Sequence, residues 1–125
     1  MNKLSRLIAL LVVVAAATLA PAAGARASAP KILVHVKIRG SLTVETPGSI
    51  LFSPASVSLG TVVTFRIVNQ DDDAHVFYIN GRFTKFIPAN GGRALLANVK
   101  FKKRGNYTAS CPDVERGIGG TFRVR

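Results

Sequence analysis

The sequence predicts an all-β protein, a single antiparallel Greek-key β-sandwich of seven or eight short strands. Three observations carry that expectation. Apolar residues recur with period two over short runs rich in valine, isoleucine, phenylalanine and threonine. Glycine, proline, asparagine and aspartate separate these runs at short intervals, as turn chemistry requires. No stretch beyond residue 27 carries the apolar spacing of a long amphipathic helix.

The first residues read differently from the rest. Lys3 and Arg6 precede an unbroken run of leucine, isoleucine, valine and alanine from Leu7 to Ala17, and small residues lead on to Ala25-Arg26-Ala27. A basic start, an apolar stretch of this length and an Ala-x-Ala end predict a secretory signal peptide over 1–27. Cleavage is expected after Ala27, because cutting after Ala29 would set Pro30 beside the scissile bond. A membrane anchor needs about 20 apolar residues, and Thr18 and Pro21 interrupt this run. The expectation is therefore a periplasmic or secreted protein with no stable membrane span after cleavage. Residues 28–125 form one small domain. Losing Lys3, Arg6 and Arg26 lowers the formal net charge from +11 to +8.

Taken in order, Ile32, Val34, Val36 and Ile38 alternate with Leu33, His35, Lys37 and Arg39, a strand with one apolar face that Gly40 ends. Pro47-Gly48 turns the chain into Ile50–Phe52, and Val57 and Leu59 lead to the turn at Gly60. In 62–68, Val63, Phe65 and Ile67 share a face. A polar loop over 69–73 precedes a strand at 76–79, closed by Asn80-Gly81, the strongest hairpin signal in the chain. Short strands follow at 83–87, 94–101, 107–111 and 121–124.

Cys111 is the only cysteine, which excludes a disulfide framework within the chain. It leaves a reactive thiol, an intermolecular bridge, a small buried hydrophobe or a metal ligand. His35 shares its face with Lys37 and Arg39 and is expected in solvent. Asp71-Asp72-Asp73 is either a solvated loop or a run that attracts a cation. The cluster Lys100, Lys102, Lys103 and Arg104 suits an acidic redox or transport partner protein, or an anionic envelope surface, through long-range attraction. Nucleic acid is not expected as a partner of an exported protein whose basic cluster holds only Phe101 as an aromatic. There is no nucleophile elbow, phosphate loop or carboxylate pair placed for acid–base work, so an enzyme is not expected.

Five motifs stand in order along the chain: Phe52-Ser53-Pro54, Gly60 before Val62-Val63-Thr64-Phe65, Asn69 followed by His75 and Phe77, Gly105-x-Tyr107-x-x-x-Cys111, and Gly120-Thr121-Phe122-Arg123-Val124. Together, over about Phe52 to Val124, they resemble the cupredoxin (blue-copper) family. The resemblance implies copper held by two imidazoles, a thiolate and a weak axial methionine. Carried over by position, His75 is the first imidazole and Cys111 the thiolate. Val114 stands where the second histidine belongs, and Ile118 where the methionine belongs. Asp113 and Glu115, two and four residues past Cys111, are the carboxylates available to complete an altered metal site. The departed ligand set also resembles the cupredoxin-like domains associated with bacterial iron uptake. The functional expectation is copper carriage or sequestration through His75, Cys111, Glu115 and Asp113, rather than ordinary electron transfer. The alternative is a metal-free binding module that engages an acidic partner through its basic surface.

Overall fold

Alternating burial along the chain builds nine strands. The computed structural model describes residues 28–40, 48–112 and 117–125; the expected signal peptide and its cleavage point lie outside these. The strands are β1 (Lys31–Arg39), β2 (Ser49–Ser53), β3 (Ser56–Val57), β4 (Val62–Asn69), β5 (Tyr78–Ile79), β6 (Arg82–Phe83), β7 (Gly92–Lys100), β8 (Gly105–Cys111) and β9 (Ile118–Val124). In β1 the period is as expected: Val34, Val36 and Ile38 are buried, and Leu33, His35, Lys37 and Arg39 are exposed.

The predicted all-β sandwich is present. Its strands run in the order β6-β5-β8-β9-β2-β1-β4-β7, with β3 also on β9. The layer β2-β1-β4-β7 and the layer β6-β5-β8-β9 meet at the short parallel pairing of Ser49 with Gly119. The sheet is mixed rather than wholly antiparallel, since β1 lies parallel to β4, from Lys31↔Val62 to Ile38↔Asn69, and β3 parallel to β9. Gly120 makes the β2–β9 joint possible: a Cβ there would collide with the backbone carbonyl of Ile50.

Aromatic rings fill the space between the layers. Phe65 on β4 meets Phe52, Phe77, Phe101 and Phe122 with centroids 5.3–6.5 Å apart, the edge-to-face and tilted range that such rings favour. Aliphatic residues from Val34 to Val124 surround them.

The strand expected at 76–79 is shorter, because side chains replace part of its ladder. The Thr84 hydroxyl accepts from the Phe77 amide at 3.1 Å, and the Thr84 amide donates to the Phe77 carbonyl at 3.0 Å. The strand expected at 83–87 reduces to Arg82–Phe83, and pairing resumes only as a bridge between His75 and Ile87. The hairpin at Asn80-Gly81 is as expected, with φ of +50° and +74°, the left-handed pair of a type I′ turn. Among the described residues no helix is long and apolar enough to cross a membrane.

Strand directions place four connections at one end. β1, β4, β6 and β8 finish there, and β2, β5, β7 and β9 start there. Segments 40–48, 70–77, 84–91 and 112–117 therefore begin and end at the same end of the sandwich. All six acidic residues of the sequence fall in three of these segments: Glu45, Asp71 to Asp73, Asp113 and Glu115.

Candidate metal centre

His75 and Cys111 reach that end from neighbouring strands. Tyr78 on β5 pairs with Ser110 on β8. Continuing this antiparallel register sets Phe77 level with Cys111, and His75 two residues farther toward the connections. Both residues belong to the inward series of their strands: His75, Phe77 and Ile79 are buried on one side, Ala109 and Cys111 on the other. Exposure is 2 % for His75 and 1 % for Cys111.

The imidazole is held from several directions. The His75 amide donates to the Ile87 carbonyl at 3.1 Å, and the Ile87 amide donates to the His75 carbonyl at 2.7 Å. Its Nε2 pairs with the Asp71 carboxylate, four residues earlier. A buried imidazole bonded to a carboxylate through one nitrogen has its ring orientation and tautomer set by that bond, which is the usual support behind a metal-binding histidine.

Asn69 shapes the loop that delivers this carboxylate. Its side-chain oxygen accepts from the Asp71 amide at 3.0 Å, and its Nδ2 donates to the carbonyls of Asp73 at 2.8 Å and Ile87 at 3.1 Å. The Asp71 carboxylate lies over Gly40, where any Cβ would collide with it. Burial pushes the Asp71 carboxyl upward, but hydrogen bonds from His75 and from the neighbouring Asp72 outweigh it and hold the group below its ordinary value of 3.8. Asp71 is thus ionised at neutral pH. The hydrogen bond and charge of Asp71 raise the Asp72 carboxyl above its ordinary value.

Asp71 is the participant that sequence reasoning missed, because Asp71-Asp72-Asp73 resembles a solvated acidic loop. The signal was present in Asn69, whose side chain forms an Asx-type turn onto Asp71 and aims it back at the strand. The carboxylates of the run lie within 4.8 Å of one another, and that of Asp71 already serves His75, whereas Asp72 and Asp73 are exposed. His35 is exposed on β1, away from this end. Asp113, Val114 and Glu115 lie outside the described residues. Ile118 pairs with Cys111 across β8 and β9 and is buried at 4 % exposure, so the expected methionine position is filled by core packing.

No protein-family model matches the sequence, and no curated protein sequence matches it. Among solved structures, rusticyanin from Thiobacillus ferrooxidans is similar over 76 % of this chain and 77 % of its own, with 15 % identity and a TM-score of 0.54. A structure of rusticyanin variants covers 82 % of this chain and 86 % of its own, with 16 % identity and a TM-score of 0.53. The fold is cupredoxin-like. A multicopper oxidase is similar over 82 % of this chain but only 46 % of its own length, with 16 % identity and a TM-score of 0.50.

Within this cupredoxin-like frame, the donors can be tested against the metal. A buried cysteine sulfur and an imidazole with its tautomer set suit copper in either oxidation state. The complete blue-site set does not fit, because an aliphatic side chain packed in the core at Ile118 offers no donor to an axial position.

Proposed function

We propose that the protein binds a copper ion through an altered cupredoxin site and carries or sequesters it, acting as a binding protein rather than an enzyme or an ordinary electron carrier. The observation that supports this most is the buried His75, tied through Nε2 to an ionised Asp71, at the same end of the sandwich as the buried Cys111. Nε2 is committed to Asp71, so Nδ1 is the nitrogen a metal would take. Cys111 would supply the thiolate, and Asp113 or Glu115 from the connecting loop a third donor.

A bound copper ion supplies a soft Lewis acid that thiolate and imidazole stabilise together. The chain's residues do the rest: Asp71 keeps His75 in one tautomer, and the surrounding core keeps bulk water from the thiol. Electron transfer needs a rigid, fully ligated site, and the aliphatic Ile118 removes one member of that set.

The test is to load the purified protein with copper(II) and copper(I) in turn and follow bound metal together with the visible spectrum. One ion per chain is the expected result, colourless with copper(I) and, with copper(II), showing thiolate charge transfer without the intense blue band of a complete site. That intense blue band would restore the blue-site reading. If the wild-type protein and a Cys111→Ala variant both emerge metal-free, the metal-free binding module takes its place. Where copper binds, His75→Ala is expected to weaken it strongly, and unchanged affinity would move the site elsewhere.

A further inference from the structure

We propose that the outer face of the β2-β1-β4-β7 layer docks the protein onto an anionic lipid surface. This is independent of the metal site. On this face β1 contributes Lys31, Lys37 and Arg39, β4 contributes Arg66, and β7 contributes Arg93 and Lys100; all six are exposed. Their registers make one continuous surface. Lys37 is level with Leu51 and Val68, Val68 with Arg93, and Arg66 with both His35 and Leu95.

The described residues place no counter-charge on this face: their acidic residues, Asp71 to Asp73, lie in the connection between β4 and β5, and among the described residues none of the six cations takes part in an ion pair. Four strands of up to nine residues span roughly 14 Å by 30 Å, so six positive charges occupy a small area. Between them stand leucines that a solvated sheet face has no need of: Leu33, Leu51 and Leu95 are 43 %, 44 % and 63 % exposed.

Charge and shape together select the occupant. An acidic protein would be matched by specific donors around a shaped recess, whereas here cations recur on three of four strands with apolar residues interleaved. That pattern suits a broad, diffuse negative surface with hydrocarbon just beneath it, as anionic lipid provides. Lysine and arginine add attraction to such a surface, and the exposed leucines reach the headgroup boundary.

The test is sedimentation of the purified protein with vesicles of phosphatidylglycerol and phosphatidylcholine, against vesicles of phosphatidylcholine alone, over a salt series. Binding to the anionic vesicles that weakens with salt is expected. The variant Lys37→Ser/Arg66→Ser/Arg93→Ser should lower partitioning by roughly a hundredfold while its thermal midpoint stays near wild type. Lys102→Ser/Lys103→Ser/Arg104→Ser removes the same charge from the β7–β8 turn and should keep most of the binding. Leu33→Ser/Leu95→Ser should increase the sensitivity to salt. Equal losses from the two charge variants would overturn the assignment to this face, leaving only net charge. Binding to soluble polyglutamate without binding to anionic vesicles would overturn it in favour of an acidic protein.

Discussion

Asp71 is the residue on which the candidate metal centre turns. The chain places it by three means: Asn69 takes its amide, Gly40 leaves room for its carboxylate, and His75 receives that carboxylate at Nε2. Removing such an outer partner from a metal-binding histidine typically costs a factor of ten to a hundred in affinity. Asp71→Asn is therefore expected to weaken copper binding by about 10–100-fold with the fold unchanged, as read by chelator competition beside a circular dichroism melt. Unaltered affinity would reduce Asp71 to a loop residue. His75 and Cys111 could be singled out as candidates in the sequence through their neighbours, Asn69 and Phe77 for one, Gly105 and Tyr107 for the other, and the fold brings both to one end of the sandwich. Asp71 could not be, because three successive aspartates give no clue as to which one turns inward. The direction came from the Asn69 side chain, a feature of three dimensions.

At the level of elements, legibility divided along lines that strand chemistry explains. Alternation in β1 and the Asn80-Gly81 hairpin could be read directly, since period two and left-handed turn residues are local properties. The parallel pairing of β1 with β4 could not, because alternation says which face is buried and nothing about the neighbouring strand. The shortening of the strand at 76–79 depended on a Thr84 hydroxyl replacing a ladder partner. The contact of β9 with β2 rests on Gly120, where the Ile50 carbonyl occupies the space a side chain would need. That neighbour is backbone, so Gly120→Ala has to move a strand. It should lower stability by about 1–3 kcal/mol, measured as the urea midpoint shift at an unchanged slope. No shift would mean that the two layers separate easily at this joint.

On the scale of the whole molecule, one aromatic cluster joins both layers, and Phe65 touches four of its rings. Truncating a buried phenylalanine costs about 3–5 kcal/mol, against a total stability of about 5–15 kcal/mol for a domain of this size. Phe65→Ala should thus leave a protein that melts far below wild type or is largely unfolded at 37 °C by circular dichroism; Phe65→Leu, which keeps most of the volume, should lose less. The sandwich itself was legible from the sequence because fold class follows from short alternating strands and turn residues. The basic outer face was not, since its cations come from three strands that become neighbours only when the chain folds.

The placing of Asp71, Asp72 and Asp73 at the end that holds the candidate site also governs how fast an ion arrives. A divalent cation approaching from a distance meets a molecule with a formal net charge of +11 over the whole sequence, and is repelled. Within the last few ångströms it meets Asp72 and Asp73, exposed beside the candidate site. Salt at 0.1 M shortens the reach of charge to about 10 Å, which removes the distant repulsion first and spares the close attraction. Stopped-flow capture of copper(II) should then accelerate as ionic strength rises from a few millimolar, the reverse of the behaviour of an acidic metal carrier. A rate that falls from the outset would mean that the ion senses the acidic end alone.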